Sequence, residues 1–191
     1  TLMLALTLAT LHAELTKEQS GRITKTVGQI IGQIHYRQTQ LNDEISKHHL
    51  KNYLNALDFG HMIFLQSDVD SFEKLYGTRL DDQVRSGSLR PAHQIFKRYL
   101  ERLAERQQMV TTLLEKPMDF STQESFNPIR DELPWPKSAD EANELWRKRV
   151  KFELLADRLT YAKDGEKPDA IKVKESTGKI LRRYERLLKT M

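Results

Sequence analysis

The block Leu133-Pro134-Trp135-Pro136-Lys137 constrains this chain more than any other stretch. Each proline fixes its own φ and pushes the residue before it toward extended geometry, so no helix can run through the block. Ser138 follows directly, with Glu141 three residues on. That spacing predicts a capping box, in which the Ser138 oxygen accepts from a free backbone N–H and Glu141 reaches back to the Ser138 N–H. Beyond it, Ala142, Leu145, Phe152, Leu155, Ala156 and Leu159 share one helical face, and Trp146, Val150 and Leu154 form an adjacent stripe. So wide an apolar sector needs cover from more than one neighbour. Residues 133–159 therefore predict the central helix of an all-α domain, with Trp135 pinned where that helix begins.

Composition supports a helical body. The chain has 191 residues, 30% charged and 38% hydrophobic, with only 8 Gly and 6 Pro. That length suits one domain with a real core, and the chain is too apolar for global disorder. A net charge of +4 permits nucleic acid or anionic surfaces as partners without requiring them. Cysteine is absent, which excludes disulfides, thiolate chemistry and Cys-based zinc sites. Residues 1–13 are uncharged and apolar. They are too short for a membrane span, which takes roughly 20 apolar residues. Their pattern matches the apolar core and small-residue end of a secretory leader, here without an initiator Met or basic start. A buried first helix is the alternative. The leader reading places the mature protein, residues 14–191, outside the cytoplasm.

Ile23, Val27, Ile30, Ile31 and Ile34 mark one face of a first helix that ends at His35-Tyr36-Arg37-Gln38. Gly28 and Gly32 lie inside it at a cost of about 1 kcal/mol each against Ala, which close approach of another helix would offset. Asn42 is the predicted N-cap of a second helix with the face Ile45, Leu50, Tyr53, Leu54 and Leu57, stopped near Gly60. Met62-Ile63-Phe64-Leu65 reads as a buried connector. Ser67 is expected to cap a short helix with Asp70 in its first turn, face Val69, Phe72 and Leu75, and end Gly77. Leu80 and Val84 suggest one or two more turns before Arg85-Ser86-Gly87. A long helix spans residues 89–116, with Pro91 in its first turn and Pro117 as its stop. Residues 118–135 show no helical period and predict an ordered loop anchored by Phe120, Phe126 and Trp135. Asp164-Gly165-Glu166-Lys167-Pro168 separates the central helix from a last one carrying Ile171, Ile180, Leu181, Tyr184, Leu187 and Leu188.

The residues assemble no recognisable chemistry. Ser86-Gly87-Ser88 is a helix-breaking turn, and no G-x-S-x-G elbow or Gly-rich phosphate loop is present. His48 and His49 are adjacent and point to different sides of a helix, whereas a metal pair uses i, i+4 spacing. His35, His61 and His93 have no ligand partners in sequence. No catalytic, cofactor-binding or metal residue is assigned, and no cofactor is expected. Two basic rows remain: Arg98, Arg102 and Arg106 beside Glu101 and Glu105, and Lys172, Lys174, Lys179, Arg182, Arg183, Arg186 and Lys189. Without a nucleic-acid-binding motif, they read as solvated helix faces rather than a nucleic-acid footprint.

Several word-like segments occur in a fixed order. They are His35-Tyr36-Arg37-Gln38, Tyr53-Leu54-Asn55-Ala56-Leu57-Asp58, Gln66-Ser67-Asp68-Val69, Arg85-Ser86-Gly87, Leu114-Glu115-Lys116-Pro117-Met118-Asp119-Phe120, Pro134-Trp135-Pro136-Lys137, Leu145-Trp146 with Val150-Lys151-Phe152, and Leu181-Arg182-Arg183-Tyr184. Together they resemble the N-terminal helical domain of the periplasmic tail-specific protease, the carboxy-terminal processing peptidase of Gram-negative bacteria. The resemblance implies a larger parent, in which a PDZ domain, a serine protease domain with a Ser–Lys dyad and a C-terminal helical region follow this segment. It implies an accessory, periplasmic domain with no catalytic residue of its own. That domain would help to admit unstructured C-terminal tails and would meet an adaptor lipoprotein. The alternative is a stand-alone extracytoplasmic helical module that binds another protein.

Overall fold

The computed structural model describes residues 15–33, 41–163 and 170–189. Those residues form seven α-helices and no strand: α1 (Lys17–Gln33), α2 (Asp43–Leu57), α3 (Gln66–Tyr76), α4 (Leu80–Ser86), α5 (Arg90–Leu114), α6 (Ala139–Lys163) and α7 (Ala170–Lys189). The domain is all-α, as expected. The expected leader at residues 1–13, the end of the first helix at Ile34 to Gln38 and the break at residues 164–168 lie outside the described residues.

The helix ends follow local chemistry. Asn42 caps α2, its Oδ1 accepting from Ile45 N–H at 3.0 Å. Ser138 caps α6, its Oγ accepting from Glu141 N–H at 3.1 Å. The returning Glu141 carboxylate takes the N–H of Lys137 at 2.8 Å, one residue before the position a capping box predicts. Three expected boundaries move. α3 begins at Gln66, so Ser67 lies inside it, and the acid at its start is Asp68, which accepts from Leu65 N–H at 3.0 Å. α2 ends at Leu57, and the left-handed residue after it is His61, with φ of 48°, rather than Gly60. α5 starts one residue later and ends two residues earlier than the expected 89–116.

The centre of the fold is α5 rather than α6. α5 packs against α3, α4, α6 and α7, whereas α6 packs against α5 and α7. Along α5, Ile95, Tyr99, Leu103 and Val110 are all but fully buried. The connector Met62-Ile63-Phe64-Leu65 is buried throughout, as expected. The Phe64 ring meets Phe72 and Tyr99 edge-on, each with centroids 5.8 Å apart. On α6 the buried column is Ala142, Trp146, Val150 and Leu154, at i, i+4 spacing. The C-terminal part of the face expected to be the main one turns outward, with Phe152, Leu155 and Leu159 41%, 42% and 54% exposed, whereas Ala142 of that face joins the buried column and Leu145 packs against the core. The large indole of Trp146 decides which of the two stripes faces inward. Its Nε1–H donates to the Met62 carbonyl at 2.7 Å, and its ring meets Tyr184 edge-on at 5.3 Å. The loop before α6 is anchored as predicted. Phe120 lies under the Arg158 guanidinium at 3.8 Å, Phe126 meets Phe152 at 5.6 Å, and Arg147 pairs with Glu124 at 2.8 Å.

The first helix departs most from its sequence pattern. Ile23, Val27, Ile30 and Ile31 are 40–49% exposed, and α1 packs on α4 through its glycines instead. A Cβ on Gly21 would sit 2.9 Å from the Gly87 carbonyl oxygen, and a Cβ on Gly28 only 2.6 Å from Val84 Cγ1. Close approach is therefore real at Gly28, whereas a Cβ on Gly32 would meet nothing within 4 Å. Gly87 ends α4 with φ of 75°, a left-handed conformation that a side chain disfavours.

Two predictions follow from this packing. Gly87→Ala should destabilise the chain by about 2 kcal/mol in urea unfolding, combining left-handed strain with a clash against the Gly21 carbonyl, whereas Gly32→Ala should stabilise it by about 0.5–1 kcal/mol. Tyr184 donates its hydroxyl to the Glu153 carboxylate at 3.1 Å. Burial, first of all, pushes its phenol from the ordinary 10.0 up to about 12; nearby Glu153 adds to the rise, and Arg149 and Arg183 oppose it. The folded chain thus holds this proton more tightly than the unfolded chain. Its contribution to stability is intact below pH 10 and is lost as pH rises through about 12. An alkaline titration of phenolate absorbance should show a late step that Tyr184→Phe removes.

Candidate binding cleft

The chain has to turn sharply where α2 ends, and Asp58 supplies the means. Its N–H closes the last turn of α2 on the Leu54 carbonyl at 2.9 Å. Its side chain then accepts from the next free donors: Oδ1 from Met62 N–H at 2.9 Å, and Oδ2 from Ile63 N–H at 2.9 Å and Phe64 N–H at 3.0 Å. A fourth donor comes from far along the chain, the Trp135 indole N–H, which reaches Oδ2 at 3.0 Å. The carboxylate is 4% exposed, so these bonds replace water and carry the strength of charge-assisted hydrogen bonds. Three successive backbone N–H groups turned onto one anion leave the connector's donors satisfied without helix or sheet.

This arrangement builds one wall of a cleft. Trp135, fixed by Asp58, stacks on His61 with centroids 3.7 Å apart and planes at 24°. His61 Nδ1 donates to the Leu133 carbonyl, and Nε2 lies 3.1 Å from the Asn55 side-chain amide. The cleft opens between α2, α3 and residues 131–135, with a volume of about 880 Å³. Leu50, Leu54 and Val69 form its apolar floor, and Leu133, Pro134 and Trp135 its far wall. Lys47 and Lys51 reach it from α2, Glu73 from α3, and Asp131 and Glu132 from the loop. Its size falls within the range of about 300–1,000 Å³ in which small ligands and short chain segments are held.

The groups weighed in the sequence find structural places. Ser86 Oγ donates to the Gln83 carbonyl at 2.9 Å, and Ser88 N–H bonds the same carbonyl at 2.8 Å, so Ser86-Gly87-Ser88 is a helix end. His48, His49 and His93 lie exposed on helices, and His61 belongs to the cleft wall. His35 lies outside the described residues. Among the described residues, no group of three or more His, Cys, Asp or Glu is placed to hold a metal ion. Of the arginine row of α5, Arg102 and Arg106 are largely buried, whereas Arg98 stays 44% exposed. Arg102 clasps the buried Asp68 at 2.7 and 3.1 Å, Arg98 approaches it at 3.5 Å, and Arg106 bonds Asn143 at 2.7 Å. Hydrogen bonding to Asp68 raises the Arg102 pKa, and burial lowers that of Arg106. On α7, Arg183 pairs with Glu153.

Comparison with known proteins identifies the segment. The family model for the tail-specific protease N-terminal domain matches residues 27–191. The chain belongs to that family. It is 35% identical to the tail-specific protease of Haemophilus influenzae over 149 residues, which make up 78% of this chain and 21% of that protein. The chain thus spans about a fifth of the length of the curated relative it matches. No described helix of this N-terminal domain is long and apolar enough to cross a membrane.

Sequence reading found neither Asp58 nor the cleft. The signal for Asp58 was present: an acid directly after a helix, followed within a few residues by a non-helical apolar run whose N–H groups need acceptors. Asp58→Ala should cost about 3 kcal/mol or more in chemical unfolding, because it leaves three buried backbone donors and an indole N–H without their acceptor. The Trp135 fluorescence should shift toward that of a solvent-exposed indole in the same variant.

Proposed function

We propose that this chain is the accessory N-terminal helical part of a periplasmic serine peptidase that degrades or processes proteins from their C-termini. In this reading residues 1–13 are the remnant of a leader and residues 14–191 are the helical domain. The parent chain continues into PDZ and protease domains, where the Ser–Lys dyad lies. The domain supports access of unstructured C-terminal tails to the protease and offers a docking surface to an adaptor lipoprotein. The observation that carries this reading is the family match over residues 27–191, joined to a relative named a tail-specific protease of which this chain covers about a fifth. Within the described residues, Asp58, Asp68 and Arg102 are committed to holding the fold.

The test compares three preparations on a folded substrate ending in an unstructured apolar tail. The parent should degrade it, and the parent lacking residues 14–191 should lose about tenfold or more in kcat/KM. The isolated chain should show no turnover. Turnover by the isolated chain that survives replacement of all its serines would overturn the accessory reading.

A further inference from the structure

Resting on the reading that the parent acts on protein C-termini, we propose that the cleft between α2, α3 and residues 131–135 itself captures the end of an unstructured polypeptide. An apolar side chain of the tail enters between Leu54, Val69 and Trp135, and its terminal α-carboxylate meets Lys47 and Lys51. The floor is apolar and already formed, and Trp135 is held rigid by Asp58 and by its stack on His61. An apolar side chain entering it displaces water from a prebuilt surface at little ordering cost. The cleft follows α2 from Lys47 to Asn55, about 12 Å at 1.5 Å per residue. That length accommodates about three or four residues of extended chain.

Charge sets the direction in which the tail lies. Lys47 and Lys51 stand one helical turn apart on the same rim and are exposed. Neither is ion-paired with another described residue, although Arg98, Arg102, Arg147 and Arg149 all are. Two unpaired ammonium groups beside an apolar floor suit a carboxylate. Glu73, Asp131 and Glu132 complete the lining, also without an ion-pair partner among the described residues. They repel a carboxylate from their side and favour cationic residues earlier in the tail. The terminus therefore lies at the α2 rim.

The experiment measures anisotropy of a fluorescein-labelled peptide, Lys-Ser-Ala-Leu-Ala-Leu, bound to the 191-residue chain, in three forms. One has a free C-terminal carboxylate, one a C-terminal amide, and one is amidated with Asp added at the end. The carboxylate form should bind, with quenching of Trp135. The amide should bind about tenfold more weakly or worse, the size of one lost charge-assisted interaction, and the Asp form should not recover it. The double substitution Lys47→Glu, Lys51→Glu should weaken the carboxylate peptide by at least the same factor without lowering Tm, and Lys51→Arg should retain binding. Equal binding of carboxylate and amide overturns the proposal, as does full recovery with Asp. Undiminished binding to the charge-reversed variant, no binding at all, or filling of the cleft by self-association overturns it too. If the peptide fails to bind while the parent still depends on residues 14–191 for tail-selective turnover, the cleft assignment falls and the accessory reading stands.

Discussion

The carboxylate of Asp58 is the interaction on which the rest of this fold depends. A turn out of α2 into a non-helical connector exposes backbone N–H groups that cannot stay buried without acceptors. Asp58 satisfies three of them in succession and, with the same oxygen that holds Ile63 and Phe64, fixes the indole of Trp135 from the other end of the chain. The connector is then free to place Phe64 between Phe72 and Tyr99 and to offer the Met62 carbonyl to Trp146. Gln66, the first residue of α3, donates its N–H to the Pro136 carbonyl at 2.9 Å. The proline-rich block and the connector are thus held together by polar bonds at both ends, and α6 starts where they leave it.

Much of the architecture was legible because it is governed by local chemistry. Asn42 and Ser138 are caps whatever the tertiary context, and Pro91 and Pro117 bracket α5 for steric reasons. The connector was legible because a short apolar run between helices has nowhere to go but inward. The failures concern which face of a helix is covered. α6 carries two adjacent apolar stripes, and a helical wheel ranks them by number of residues. Packing ranks them by the one side chain, Trp146, that both fills the interior and finds an acceptor there. In α1 the isoleucine stripe lost to a backbone approach: Gly21 and Gly28 let α4 come so close that this contact fixes the helix, leaving Ile23 and Val27 half-exposed. The cleft was illegible for a different reason. Its walls come from residues more than 80 positions apart, and no sequence period connects Lys51 to Trp135.

Charge tells a consistent story about function. A row of arginines along a helix resembles a footprint for a polyanion, yet Arg98, Arg102 and Arg106 are spent on Asp68, on neighbouring glutamates and on Asn143. The mostly buried Asp68–Arg102 pair ties α3 to α5, and the Arg106–Asn143 hydrogen bond ties α5 to α6. At the cleft an apolar floor is bordered by lysines on one side and carboxylates on the other, while Lys174 and Lys179 on α7 are likewise exposed and without an ion-pair partner among the described residues. In this member of the tail-specific protease N-terminal family, that cleft is the surface on which the proposed handling of polypeptide tails rests.

The central claim, that Asp58 locks a non-helical connector into the most stable part of the molecule, is tested most directly by amide hydrogen exchange. The N–H groups of Met62, Ile63 and Phe64 should exchange as slowly as those of Leu103 and Val110 in α5, and only through global unfolding. Exchange of these three amides at the rate of the exposed loop around Ser121 would contradict the account.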